Sequence, residues 1–122
     1  GVVGIAADGE DTGTLLWRVP WDAKIVAPSP IAIGDNRILA LAGYGAGGLV
    51  LEVNAEGDGF EGREVSRHGT KDGIAAEQHT PIVYDGLIYS IMPKDAGALR
   101  AQFVCYHPDG TLIWSSGQEN RF

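Results

Sequence analysis

The sequence has little cysteine, little positive charge and no long apolar run, and each shortage excludes a class of protein. The single cysteine, Cys105, excludes an internal disulfide, and its apolar neighbours predict a small buried side chain. Nine Lys and Arg residues against sixteen Asp and Glu give a net charge of −7, which argues against a nucleic-acid partner. The longest apolar segment, residues 38–50, is interrupted by glycines and is much shorter than the roughly 20 residues that cross a bilayer, so we expect no membrane span.

Glycine, in contrast, is abundant. Eighteen glycines, together with Asp and Asn, separate short apolar runs in a chain whose hydrophobic fraction is 44%. Many short runs bounded by turn residues favour brief β-strands over long helices. We therefore expect an all-β fold with no helix longer than about two turns.

Two short motifs occur twice. The pentapeptide GTLLW of residues 13–17 returns as GTLIW in residues 110–114, and SPIAI of residues 29–33 is echoed by TPIVY of residues 80–84. The second pair lies about 50 residues apart, the length of one β-propeller blade, and the first pair roughly twice as far apart. The structural residues of the pentapeptide are its turn glycine and its terminal tryptophan, namely Gly13, Trp17, Gly110 and Trp114. The sequence therefore predicts a repeat protein.

The repeats divide the chain into half a blade and two whole blades. Residues 1–19 are predicted to form the last two strands of one blade, residues 29–66 a second blade and residues 80–117 a third. Each whole blade is expected to be a four-stranded antiparallel sheet. Residues 20–28, bracketed by prolines, and the polar residues 67–79, with at most one helical turn, are interpreted as connectors.

Two finer expectations concern the middle blade. Its third and fourth strands are predicted at residues 49–54 and 62–66, separated by an acidic, Gly-rich turn at residues 55–61. Two and a half blades cannot close a propeller, which has four to eight. The predicted architecture is thus an incomplete, open propeller. Three explanations for the missing blades follow: the chain is a piece of a longer protein, copies of it assemble, or its units stack as an open array of sheets.

The repeat motif resembles that of the quinoprotein-like β-propellers, also called PQQ-like repeats. The family pattern Ala-x-Asp-x-x-Thr-Gly-Lys-x-x-Trp is matched at Ala6, Asp8, Thr12, Gly13 and Trp17. One extra residue precedes Thr12, and Thr14 replaces the usual Lys. The second copy, residues 108–114, keeps the Gly and the Trp but has Asp109 in the Thr position, and the middle unit ends in EVS at residues 64–66 without a Trp.

The resemblance implies a propeller in an extracytoplasmic location, periplasmic or secreted, with the Trp packed into the neighbouring blade. The family includes dehydrogenases that bind pyrroloquinoline quinone with calcium, a lipoprotein that helps to assemble outer-membrane proteins, and secreted proteins of unknown role. The enzymes carry an adjacent-cysteine disulfide, a calcium-binding acidic set and a catalytic Asp, and none of these is recognisable in this sequence. No catalytic residue, metal ligand or cofactor is therefore predicted.

The leading prediction is a non-catalytic propeller segment that acts as a scaffold and binds a protein partner or a small polar ligand. One alternative is part of a quinone-dependent dehydrogenase, which would use PQQ and calcium. Another is a structural repeat that self-associates through open blade faces. Fold alone does not choose among these functions.

Three residues are the candidates for ligand binding: Tyr44, Gln78 and His79. Tyr44 lies in residues 43–48, which fit Gly-x-Gly-x-x-Gly but precede a strand pattern, so we interpret them as an interstrand loop and not as a dinucleotide site. Gln78 and His79 precede the first strand of the third blade, where residues can line an axial channel. Residues 54–59 begin like a calcium loop but lack its terminal carboxylate, and the three histidines lack zinc-site spacing.

Overall fold

The computed structural model describes residues 1–122, and it consists of three antiparallel β-sheets. The first sheet pairs β1 with β2, and in the second and third sheets four strands follow one another in chain order. The only helical element is one 3₁₀ turn at Gly97–Leu99. The strands are β1 (Val2–Ile5), β2 (Leu15–Val19), β3 (Ile31–Gly34), β4 (Arg37–Ala42), β5 (Gly47–Glu56), β6 (Gly59–His68), β7 (Ile82–Tyr84), β8 (Leu87–Ile91), β9 (Phe103–Tyr106) and β10 (Leu112–Ser115).

The all-β fold and the absence of a long helix confirm the prediction from composition. None of the chain forms a helix with the length and apolarity that a membrane crossing needs. Cys105 is fully buried, as its neighbours predicted. Both turn glycines of the pentapeptides adopt positive φ, 87° at Gly13 and 93° at Gly110, which explains why glycine stands there.

Two loops of the second sheet are shorter than predicted. The turn placed at residues 55–61 is only Gly57 and Asp58, because cross-strand pairing continues to Glu56 and Gly59, so β5 and β6 are longer than residues 49–54 and 62–66. The loop placed at residues 43–48 ends earlier, since Gly47 already pairs with Ala42. In both places backbone pairing outweighs the turn preference of glycine and acidic residues.

The segment predicted as a polar connector, residues 67–79, also contributes to the core. Ile74 is 3% exposed, and Ala75 and Ala76 are completely buried between the second and third sheets. The segment contains no helix. Residues 74–76, for which the sequence allowed one helical turn at most, instead form a buried plug between two sheets.

The last strand of each sheet carries one β-bulge at the same place. The bulged residue is Leu16 in β2, Val65 in β6 and Ile113 in β10, as the register shifts show. A bulge inserts one residue and offsets everything after it. The residues that follow the bulges are therefore equivalent in the three sheets: Trp17, Ser66 and Trp114.

The sheets stack in chain order. The core between the first and second sheets, which we call the first interface, includes Val19, Trp21, Leu49 and Leu51. The core of the second interface, between the second and third sheets, is larger and is formed by β4, β8, β9 and the plug of residues 74–76. The second sheet therefore has both faces covered, whereas the first and third sheets have one covered face each.

Candidate functional site

The three predicted ligand-binding residues lie near the same end of the second and third sheets, where β4 ends and β7 begins. Tyr44 sits in the turn after β4 with φ 57° and is 63% exposed. The neighbouring Gly43 packs against Glu77 so closely that an added Cβ would lie 2.6 Å from the Glu77 Cγ. Gln78 and His79 follow directly in the chain.

Only two of these three residues share a pocket. Gln78 and His79 line an open pocket of about 300 Å³ together with Lys94 and Phe122. Tyr44 borders a separate one, beside Asp22, Lys24 and Ile25. The structure thus brings Gln78 and His79 together and keeps Tyr44 outside their pocket.

His79 links the connector of residues 67–79 to β8 of the third sheet through its side chain. Its Nε2 accepts a hydrogen bond of 3.1 Å from the backbone N–H of Ile91 and lies 3.0 Å from Ser90 Oγ. The Ser90 hydroxyl in turn donates to the carbonyl of Ala75, which belongs to the buried plug. Burial lowers the pKa of His79, which agrees with a neutral ring that accepts at Nε2. Only Nδ1 is then left for a ligand.

Metal-ligating side chains do not gather anywhere in the molecule. No group of three or more His, Cys, Asp or Glu side chains lies close enough together to hold an ion.

The most distinctive surface is one that the sequence analysis did not assign. A cross-strand row on the outer side of the third sheet contains Ile82, Tyr89, Cys105 and Trp114, which pair directly from strand to strand. Phe103 meets the Trp114 ring edge-to-face at 5.4 Å, and Phe122 meets Phe103 at 6.4 Å. We call this surface, formed by the row together with Phe103 and Phe122, the aromatic face.

Much of the aromatic face is in contact with solvent. Ile82 is 65% exposed, Trp114 41% and Phe122 71%. Only Cys105, beneath the rings, is completely buried. Large contiguous apolar surfaces are uncommon on folded proteins and mark interaction sites.

The equivalent rows of the other two sheets are covered. In the second sheet the row Ile31, Leu39, Val50 and Ser66 faces the third sheet, and Leu39 is only 1% exposed. In the first sheet Trp17, opposite Gly4, packs against β6, where a Cβ on Gly62 would lie 2.6 Å from the indole. The aromatic face is therefore the third member of a series whose first two members pack against a neighbouring sheet.

The first sheet, at the opposite end of the stack, also has an uncovered apolar face. Val3 and Ile5 of β1 are 52% and 59% exposed. Their register equivalents in β5 and β9 are core residues exposed by 4% or less: Leu49, Leu51, Val104 and Tyr106. The two ends of the stack thus present the two different halves of the same type of interface.

A signal for the aromatic face is present in the sequence. Tyr89, Phe103 and Trp114 each occupy alternate positions of apolar strands, which places them on one side of a sheet once the strands are paired. The strand pattern does not reveal which side remains uncovered, because that depends on how the sheets stack.

Comparison of the chain with profiles of protein families, with curated proteins and with solved structures returned no match. Its geometry is accordingly the basis for assigning a function.

Proposed function

We propose that this chain is a non-catalytic segment of the PQQ-like propeller type that serves as a binding scaffold, and that its aromatic face docks the outer face of the first sheet of a second copy. The observation that carries the proposal is the register of the third sheet. Its row at Trp114 repeats the rows at Trp17 and Ser66, and both of those rows support another sheet.

The stacking direction supports a propeller-type arrangement. Each sheet turns the row that follows its bulge towards the next sheet, so the two interfaces are head-to-tail. Blades around a propeller axis pack in the same sense, one face of each against the opposite face of the next. A further sheet placed on the aromatic face would continue the series.

The outer face of the first sheet is suited to be that further sheet. Val3 and Ile5 supply apolar surface, and Arg18, directly opposite Val3 in the register, supplies a cation on the same face. A guanidinium over an aromatic ring is attracted by the negative face of the ring. The electron-rich rings of Trp114 and Phe103 are the matching partners on the aromatic face.

The apolar surface buried in the contact sets how strongly two copies can associate. Burying a large apolar side chain stabilises by about 1.5–3 kcal/mol when it starts fully exposed. Ile82, Trp114 and Phe122 start partly exposed and are joined by Val3 and Ile5 of the partner. Docking therefore yields roughly 5 kcal/mol or more before the cost of association, which is of similar size, so we expect weak binding, about millimolar at best.

The test is a complementation of two surface variants, with mass measured by light scattering at several concentrations. Trp114→Arg disables the aromatic face, and Val3→Arg disables the opposite face. Phe60→Arg, at an exposed aromatic residue in the β5–β6 hairpin, is the matched control. We expect the wild type and the control to associate and each of the two face variants to be monomeric.

The mixture of the two variants separates this proposal from a general effect on solubility. Each variant keeps one intact face, so an equimolar mixture should form a dimer and no larger species, because a head-to-tail contact can then form only once. A wild type that stays monomeric at all concentrations, or a mixture that does not dimerise, would contradict self-docking.

A further inference from the structure

A cleft opens between the second and third sheets on the side of β6. Its volume is about 380 Å³. Apolar side chains of both sheets, among them Leu39, Val50 and Ile88, line the cleft. Arg37 and His107 lie at its border. The cleft is separate from the aromatic face and from the pocket at His79.

The register explains why the cleft is there. Ser66, which lines it, occupies the position that carries an indole in the other two sheets, Trp17 and Trp114. At the first interface Trp17 fills the corresponding space and contacts the backbone at Gly4 and Gly62. A hydroxymethyl group cannot fill the volume of an indole, so the second interface is left open at this point.

Arg37 is the cation at the cleft without a protein partner. Its Nε is buried and has no hydrogen-bond partner, and none of the three ion pairs of the chain involves it. Buried polar atoms are nearly always hydrogen-bonded, so an unpaired guanidinium nitrogen calls for an explanation.

Three of the other charged side chains that border the cleft, Arg67, His68 and His107, have a partner within the chain, whereas the Asp72 carboxylate makes no hydrogen bond or ion pair. Arg67 Nη2 binds Glu64 at 2.7 Å, and His68 Nε2 donates to the carbonyl of Ile74 at 2.7 Å. His107 Nδ1 lies 3.6 Å from Asp109, whose pKa is lowered chiefly by its hydrogen bond from Thr111. Asp72 also lines the cleft, on the side of His68.

Glu52 is the carboxylate opposite Arg37 in the register, but its main partners are elsewhere. The pKa of Glu52 is lowered chiefly by the hydrogen bond from Asn54, then by Arg63, and least by the charge of Arg37. Glu52 does not line the cleft. It therefore reduces the field of Arg37 without occupying its hydrogen-bonding groups.

We propose that this cleft binds a small planar aromatic carboxylate, with the ring in the space next to Ser66 and the carboxylate on the Arg37 guanidinium. The apolar walls fit a flat ring, and pockets of this kind combine apolar lining with a few polar groups that fix orientation. A guanidinium binds a carboxylate through two parallel hydrogen bonds. The Nε of Arg37 is buried in the free protein, so it can join such a pair only once the Arg37 side chain turns towards the cleft.

Indole-3-acetate is the probe, because it combines the ring that Ser66 lacks with a carboxylate. Binding is measured by isothermal titration calorimetry, and the site by amide chemical-shift changes. We expect the shifts to be largest at Leu39, Ser66 and Ile88. Neutral indole-3-acetamide should bind about tenfold more weakly or worse, since it cannot form the charge-assisted pair.

Variants at both ends of the cleft make the test specific. Arg37→Gln should weaken the binding of indole-3-acetate about tenfold, whereas Arg100→Gln, at an exposed arginine outside the cleft, should leave it unchanged. Ser66→Trp should abolish binding by filling the space, and Ser66→Ala should retain it.

Three results would overturn the proposal. One is no detectable binding of indole-3-acetate to the wild type at millimolar concentration. Another is equal affinity of the Arg37→Gln variant and the wild type, which remains decisive even if Ser66→Trp does not fold. The third is a set of shift changes centred on Phe103 and Trp114, which would place the ring on the aromatic face.

Discussion

The first and second interfaces use the same register position in two different ways. At the first interface the residue after the bulge is Trp17, which fills the space between two sheets. At the second interface it is Ser66, and the core is closed from the other side by the plug of residues 74–76. The comparison teaches that the residue after the repeated β-bulge determines whether an interface is filled or keeps a cleft.

The Trp17 indole also requires neighbouring residues without side chains. A Cβ on Gly4 would lie 2.2 Å from the Trp17 ring, and one on Gly62 2.6 Å from it, so both neighbours must be glycine. The register counterpart of Gly4 in the second sheet is Val50, which has a side chain directed to the second interface. An indole that faces glycines and a serine that faces a valine are thus two self-consistent arrangements of the same register position.

The largest expected effect separates the two tryptophans of the repeated motif. Trp17→Ala should lower the free energy of unfolding by about 2 kcal/mol, since it removes a half-buried ring that packs between two sheets. Trp114→Ala, at the same position of an uncovered sheet, should cost about 1 kcal/mol, measured on dilute protein. Urea denaturation of the two variants tests this, and equal losses would show that Trp17 packs no more tightly than Trp114.

A second prediction concerns the glycine contact at the first interface. Gly62→Ala should destabilise by about 2 kcal/mol, because its methyl group would have to displace the Trp17 ring. Gly59→Ala is the matched control on the same strand, since the atom nearest to its Cβ is 3.9 Å away. We expect the control to change the free energy of unfolding by less than about 0.5 kcal/mol.

Combining Gly62→Ala with Trp17→Ala sharpens the same comparison. Once the ring is absent, the added methyl group has nothing to displace, so the cost of Gly62→Ala should largely vanish in the double variant. Additive losses would mean that Gly62 acts through its backbone and not through its contact with the indole. The double-mutant cycle by urea denaturation distinguishes these outcomes.

The extent to which the sequence predicted this arrangement differs between elements. The two pentapeptides predicted a turn glycine followed by a strand that contains a tryptophan, and both are found because local turn chemistry and alternation determine them. The sequence also showed that the middle unit ends at residues 64–66 without a tryptophan, but only the bulge in the pairing assigns Ser66 to the position of the indole.

The candidate site was predictable only in part, for a similar reason. Gln78 and His79 are consecutive and necessarily lie together, whereas the distance from Tyr44 depends on how two loops pack. The role of Arg37 depends on the surroundings that two sheets create for its Nε. The aromatic face depends on which sheet is last in the stack. Contacts between sheets leave no periodic trace in a single chain.

The smallest expected effect is a difference in acid sensitivity between the interfaces. The pKa of His79, which ties the plug of the second interface to β8, is lowered from its usual 6.5 by burial. The unfolded chain therefore takes up the proton first as the pH falls. Stability is retained above about pH 6.5 and decreases as the pH drops through the lowered folded-state pKa.

Replacing His79 should remove this pH dependence. His79→Gln keeps an acceptor for the Ile91 amide but does not titrate, so its free energy of unfolding should vary less between pH 8 and 5 than that of the wild type. His107→Gln, at an exposed histidine on the third sheet, is the control. Amide exchange, corrected for its intrinsic pH dependence, should show acid-induced opening at Ile91 and not in β1. The same pH slope in His79→Gln and the wild type would assign the acid response to other groups.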